Sequence, residues 1–250
     1  MAVRKFTDAN FEASGNPLQL LESGVAVAAG TDAAVNYMLA GGHVFEYSIG
    51  ATNSAVVFTK TANGLVVPID ATNNEGVEIT QGLTAAANSS FQSQFVVGTD
   101  PAFYFSLKYR VTTVADYDVL MVGFRGKSTG VEDYGAIATF DTPAEIITNY
   151  DTLAGVNNNA GTLAGNTRLS GGTGVATVLT TTWADAATKT VTVKVSSAGV
   201  VTAEVDGTAL SDFVSVTLPS ITVIPYVAVC RAQNGTLGTL QLKRWTAGYQ

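Results

Sequence analysis

Residues 188–207 read TKTVTVKVSSAGVVTAEVDG, and their alternation describes one β-hairpin. Val191, Val193 and Val195 alternate with Thr190, Thr192 and Lys194, while Val201, Ala203 and Val205 alternate with Thr202 and Glu204. A period of two marks half-buried strands, each with one wet and one dry face. The dry faces coincide only if odd positions oppose odd positions, so the loop must hold an odd number of residues. Ser197-Ala198-Gly199 meets that condition, with Gly199 able to take the positive φ that closes a three-residue hairpin. The expected pairs are Val195 with Val201, Val193 with Ala203, Val191 with Val205 and, on the wet side, Thr192 with Glu204. Asp206-Gly207 supplies the next turn. A sheet wet on one face needs a second layer on the other.

Outward from this hairpin, short strands recur with turn signals every eight to twelve residues or so, the spacing of a sandwich or barrel. Strands are expected at 43–49, 56–60, 65–69, 77–80, 91–97, 134–140, 145–150, 213–218, 222–231 and 236–244, the second and third joined through Asn63-Gly64. Phe103, Phe105, Leu107, Tyr109 and Val111 share one face of a strand whose other face is Ser106, Lys108, Arg110 and Thr112. Residues 118–124 are apolar at nearly every position and belong at the centre of a sheet, covered on both sides. Leu240 and Leu242 should face in, Gln241 and Lys243 out. Residues 151–175, rich in Gly and Asn, read as a long loop, functional or mobile.

Residues 1–40 differ from the rest. A basic start (Arg4, Lys5), Phe6, Phe11, a Pro17 break and a run of small residues read as an extended arm with one short helix or strand near 18–22, the alternative being a disordered terminus. Phe6, Phe11, Leu18, Leu20 and Leu21 are apolar groups that need covering, so they and Arg4 and Lys5 are the candidate partner-binding residues. The domain division is thus an arm, 1–40, and a β-sandwich, 41–250.

Hydrophobic residues make up 46% of the 250, enough for a sizeable core, whereas charged residues make up 13%, about half the usual share of roughly 25%. The surface is therefore Thr, Ser, Asn, Gly and Ala. It suits a protein that lives against another protein, and equally a Thr-rich β-domain in solution. A net charge of -7 excludes a nucleic-acid backbone or an anionic membrane as partner. The single cysteine, Cys230, sits in an apolar run and reads as a buried inert thiol. The stretch 18–29 is broken by Glu22, Ser23 and Gly24 and is no secretory leader, and no apolar run reaches the roughly 20 residues of a bilayer span. The expected product is soluble and made in a reducing cytoplasm.

The segments FYFSLKYRV (103–111), YDVLMVGFR (117–125), TVTVKVSSAGVVTAEVDG (190–207) and LGTLQLKRW (237–245) together resemble the concanavalin A-like, or LamG-like, jelly-roll sandwich over roughly residues 44–245. Low charge, an Ala/Thr/Gly-rich arm and Gly/Asn loops look like virion structural proteins of tailed bacteriophages, either head decoration (cement) or tail-associated proteins. That resemblance implies an all-β fold, a two-layer antiparallel jelly roll, and a non-enzymatic role. It also implies a location in the virion after synthesis in the host cytoplasm. The implied partner is the major capsid protein or a neighbouring virion subunit, and the implied state is a homo-oligomer, taken as a trimer.

Candidate chemistry is sparse. Jelly-roll glycosidases set paired carboxylates about a glycosidic bond, but after Glu204 and Asp206 the next alternate position is Thr208, and Asp206-Gly207 reads better as a turn. Glu132 and Asp133 are adjacent and would point to opposite faces. Gly126-Lys127-Ser128 fails as a phosphate loop because Met121 stands where a glycine is required. His43 is the only histidine, which excludes a histidine cluster within one chain. No cofactor is required. Calcium could be held by Asp70, Asn73, Asn74 and Glu75 or by Asp116 and Asp118, loops that read first as plain turns. Sugar rings could stack on Tyr134, Tyr150 or Trp183, which serve equally in core or rim packing. The leading expectation is a capsid decoration protein. The alternative is a carbohydrate-binding or receptor-binding tail-associated module.

Overall fold

A computed structural model describes residues 5–13, 18–21, 34–49, 58–67, 75–81, 93–117, 119–126, 150–231 and 238–250. In chain order the strands are β1 (Lys5–Asn10), β2 (Gln19–Leu21), β3 (Ala34–Ala40), β4 (His43–Ile49), β5 (Thr59–Thr61), β6 (Gly64–Val67), β7 (Glu75–Gln81), β8 (Phe95–Val96) and β9 (Phe103–Val111). There follow β10 (Val119–Gly126), β11 (Leu153–Asn159), β12 (Thr162–Arg168), β13 (Val175–Thr182), β14 (Thr188–Val195), β15 (Val201–Val205), β16 (Thr208–Ala209), β17 (Thr222–Arg231) and β18 (Leu240–Tyr249). Among the described residues the one helical element is a 3-10 turn, Val114–Asp116.

The strands form two antiparallel sheets stacked as a concanavalin A-like jelly-roll sandwich. One is eight-stranded, β16-β15-β14-β9-β18-β6-β5 with β1 also on β18; the other is ten-stranded, β13-β12-β11-β10-β17-β7-β4-β3-β2 with β8 on β17. The hairpin of residues 188–207 has the expected register, Val195 with Val201, Val193 with Ala203, Val191 with Val205 and Thr192 with Glu204. Gly199 has φ 83°, and Asp206 (51°) and Gly207 (80°) form the following turn. β9 alternates buried and half-buried residues along its whole length, its dry face being the five residues expected.

The dry faces meet through aromatic rings. Phe103 of the eight-stranded sheet lies edge-on to Phe124 of the other at 5.2 Å and stacks on Phe95 at 4.5 Å, while Trp245 meets Phe45 edge-on at 5.3 Å. Each such pair adds about 0.5–1.5 kcal/mol beyond burial itself. β10 is central in the ten-stranded sheet and buried on both sides: Leu120, Val122 and Phe124 enter the main core, while Val119 and Met121 join Leu153, Tyr226, Ala228 and Cys230 in a second cluster. This double burial is why residues 118–124 carry no alternation.

Several expectations need correction. The described parts of the arm are strands of the sandwich: β1 pairs with β18, and β2 and β3 extend the ten-stranded sheet beyond β4. Residues 151–175 contain no long loop. They are the hairpin β11 and β12, closed by Ala160 (φ 47°) and Gly161 (φ 87°), a pair with the positive φ values of a tight hairpin turn. β18 runs to Tyr249; β6 and β1 share one side of it, and on the other side its ladder with β9 shifts register between Leu242 and Arg244. Lys243 at this irregularity is buried and donates to Glu12 Oε1 (2.8 Å) and the Asn63 carbonyl (3.1 Å), and Gln241 is buried too. The stretch 213–218 makes only an isolated bridge, Thr217 to Val200. The expected strand at 134–140 lies outside the described residues, as does that at 145–150 except Tyr150, which is not in a strand.

Candidate functional site

The outer face of the ten-stranded sheet combines the second apolar cluster with several buried polar side chains. Alternation sends Val77, Ile79, Val227 and Val229 inward, so Glu78, Thr80, Tyr226 and Ala228 turn outward; on β10 the outward residues are Val119, Met121, Gly123 and Arg125. One row across the sheet runs Ala176, Asn166, Gly155, Gly123, Tyr226, Thr80, Glu46. Glu46, Glu78, Arg125, Asn157 and Asn166 are all buried there.

Arg125 reaches across β17 to Glu78. Its Nε donates to Oε1 (3.2 Å) and Oε2 (3.1 Å), its Nη2 to Oε1 (2.7 Å) and its Nη1 to the Gly126 carbonyl (3.1 Å). The Tyr150 hydroxyl donates to Glu78 Oε2. The guanidinium carbon stands 5.6 Å from the Tyr150 ring centre, and the Tyr150 and Tyr226 rings are 5.5 Å apart. Burial pushes both tyrosine hydroxyls well above their usual range, and the Glu78 charge pushes the same way. Both rings therefore keep their protons at neutral pH. A buried cation is satisfied by a buried anion, and neither tyrosine is ready to act as a base.

Around this pair some hydrogen-bonding capacity is unspent. Asn157 Oδ1 accepts from the Leu120 N–H at 3.0 Å, which fixes the amide orientation and leaves Nδ2 without a partner. Asn166 has neither amide atom bonded, and the Tyr226 hydroxyl makes no hydrogen bond. Buried polar groups are nearly always satisfied, so three such side chains on one face are unusual. Trp245 Nε1, also unpartnered, lies in the main core instead.

Between Asn166 and Tyr226 the row holds two glycines directly opposite each other. A Cβ on Gly123 would stand 2.3 Å from the Ala154 carbonyl oxygen, and one on Gly155 2.4 Å from that of Val122. Neither position admits a side chain. The row ends at β13, an edge strand: Ala176 is exposed and Val178 is 70% exposed.

The sequence-derived candidates are scattered. Phe11 is buried in the core, 5.5 Å from the Phe45 ring, so it is not offered to a partner. Leu18 is half-buried and packs on the same core. Lys5 and Phe6 lie on β1 and Leu20 and Leu21 on β2, while Arg4 lies outside the described residues. Trp183 stacks on Tyr109 at 4.3 Å inside the core, and Tyr150 joins the buried pair on the outer face. Tyr134, Glu132, Asp133 and Lys127 lie outside the described residues. So do Asp70, Asn73, Asn74 and Asp118; Glu75 opens β7, and the Asp116 carboxylate accepts from the Gly238 N–H. Glu204 pairs with Lys194, and Asp206 accepts from the Thr190 N–H at 2.7 Å, both structural uses. Sequence reasoning missed Glu78, Arg125, Asn157, Asn166 and Tyr226. The available signal was Val77-Glu78-Ile79-Thr80, whose alternation places Glu78 opposite the core.

No protein-family model and no curated protein sequence matches the chain. Among solved structures it is similar to the carbohydrate recognition domain of Emp47p (TM-score 0.51, 13% identity, covering 81% of this chain and 88% of that one). It is also similar to an alginate lyase from Corynebacterium sp. (0.50, 9%, 79% and 82%) and to the carbohydrate-binding module CBM66 from Bacillus subtilis (0.47, 8%, 77% and 91%). At these identities the likeness is one of fold.

Proposed function

We propose that this chain is a non-enzymatic glycan-binding module whose site is the outer face of the ten-stranded sheet. The observation that carries the reading is the likeness of this sandwich to the carbohydrate recognition domain of Emp47p over 81% of the chain, beside an Arg125–Glu78 ion pair that is already satisfied. Catalysis needs groups that can give or take a proton, and the Tyr150 and Tyr226 hydroxyls beside that pair are held protonated. The reading corresponds to the alternative drawn from sequence, a carbohydrate-binding or receptor-binding tail-associated module. Isothermal titration of the full chain against an oligosaccharide panel tests it. Saturable binding of at least one oligosaccharide is expected, and no heat from any sugar overturns it.

A second reading, attachment to a capsid lattice or a neighbouring virion subunit as an oligomer, is favoured by the uncharged β13 edge with Val175 and Val178 in solvent. Exposed edges invite pairing with another chain. Co-sedimentation with assembled shells, abolished by Val178→Lys, would support it. Sedimentation of the chain alone in the presence of shells would remove it.

A further inference from the structure

We propose that two copies of this chain pair antiparallel through the first half of β13, so that their ten-stranded sheets continue into one another across a two-fold axis at Thr177. This deepens the second reading above, since it names a copy of the chain as what the β13 edge takes, and it is independent of the glycan reading.

The edges argue first. A strand at the side of a sheet shows unpaired N–H and C=O groups, and proteins guard such edges with short strands, charges, proline, irregular pairing or a covering segment. Among the described residues β16, β8, β5 and β2 are guarded by their length of two or three residues, and β1 carries Lys5 and Asp8. β13 has eight residues, VATVLTTT, with no charge and no proline. Its guards lie in the second half only. The pairing with β12 shifts register between Val178 and Thr182, and the Asp212 carboxylate takes the Thr180 N–H at 2.5 Å. Residues 175–178 are left open. Of the four large apolar side chains exposed among the described residues, two are Val175 and Val178.

Self-complementarity argues second. Ala176 opposes Asn166 and Val178 opposes Ala164, so both face outward, while Val175 and Thr177 face the other way. Two such sheets keep one face outward only if residues of the same parity oppose each other, which puts the two-fold axis on a residue and not between residues. An axis at Thr177 sets Ala176 against Val178 of the second copy, small against large, and Val175 against its Leu179. Thr177 then meets its own copy, a favourable cross-strand pair. An axis at Ala176 would set Val178 against Gly174 and leave it uncovered. One at Val178 would set Ala176 against Thr180, whose N–H is already taken by Asp212. Because β13 is uncharged, the net charge of -7 on each chain stays off the seam.

Five residue pairs make a small seam, so the dimer is expected to be weak, with a Kd of about 10–500 μM. Sedimentation equilibrium of the full chain from about 10 μM to 1 mM should show a reversible monomer–dimer equilibrium. Val178 is a surface residue, so Val178→Lys should melt like the wild type. It nevertheless sets two lysines about 7–8 Å apart across the seam and should weaken dimerisation about tenfold or more. Thr177→Cys tests the register. Opposed residues of antiparallel strands have Cα atoms about 4.5–5.5 Å apart, within disulfide reach, so oxidised glutathione should convert this variant to a covalent dimer. In Thr180→Cys the two thiols would stand about 20 Å apart and should not cross-link, nor should the wild type, whose one cysteine is buried. A monomer throughout the concentration range would overturn the self-pairing and leave attachment to a shell to its own co-sedimentation. A dimer indifferent to Val178→Lys, or Thr180→Cys cross-linking as fast as Thr177→Cys, would overturn the β13 seam.

Discussion

Arg125 on β10 and Glu78 on β7 are not neighbours in the sheet; β17 runs between them, and the guanidinium spans it to meet the carboxylate at 2.7 Å. The pair ties three central strands together on the outer face, under the Tyr150 ring. Removing one partner strands the other's charge away from water, which costs about 3–5 kcal/mol. Glu78→Gln should therefore lower the urea midpoint by far more than Tyr150→Phe, which deletes a single charge-assisted bond worth about 1.5–3 kcal/mol. Equal losses would mean that the ion pair is not the clamp described.

The glycines of the same face make a sharper comparison. Gly123 and Gly155 have strand backbone within 2.4 Å of where a Cβ would stand, whereas Gly207, at φ +80°, has nothing within 4 Å. Alanine at either sheet position must push β10 and β11 apart, at about 1–3 kcal/mol or more. At Gly207 the penalty is conformational only, about 1–2 kcal/mol, and Gly207→Asn should recover most of it because Asn tolerates positive φ. Denaturation of the six variants, Ala and Asn at each of the three positions, tests this, with a rescue by Asn expected at residue 207 and absent at 123 and 155.

These contrasts also explain what the sequence made legible. Strands with one wet face announced themselves: the 188–207 hairpin could be aligned pair by pair because Thr, Lys and Glu alternate with Val. Where both faces are covered the pattern vanishes. In β11 and β12, Gly155, Asn157 and Asn166 replace apolar residues on the outer face and Gly165 is covered by Phe213 on the inner one, so a buried hairpin reads as a flexible loop. The site residues were hidden for the same reason. Glu78 and Arg125 come together only because β17 is inserted between β10 and β7, a non-local pairing that no spacing within 78–125 encodes.

The edge strand β13 should open in acid. The Asp212 carboxylate accepts from the Thr180 N–H at 2.5 Å, and that bond holds its pKa below the ordinary aspartate value. A carboxyl depressed in the folded state adds stability above its unfolded pKa, near 3.9, and loses it as pH falls through the lower folded value. Hydrogen exchange at the Thr180 amide should be slow at pH 5 and accelerate relative to its neighbours below about pH 4. In Asp212→Asn that extra step should disappear. An unchanged profile would show that the carboxylate does not guard this edge.

The fate of β1 separates a docking arm from a structural strand. Phe11 follows β1 into the core, its N–H donating to the Lys243 carbonyl at 2.9 Å, while Asp8 takes a bidentate pair of bonds from Arg244, both at 2.7 Å. The ion pair is half exposed and worth at most about 1 kcal/mol. Losing the ring is another matter, since Phe to Ala in a core costs about 3–5 kcal/mol. Phe11→Ala should therefore drop the melting temperature strongly and Asp8→Asn hardly at all, both measured calorimetrically. Were residues around Phe11 a detachable arm for a partner, Phe11→Ala would melt like the wild type and fail only in partner binding; the packing of Phe11 against Phe45 requires the opposite order.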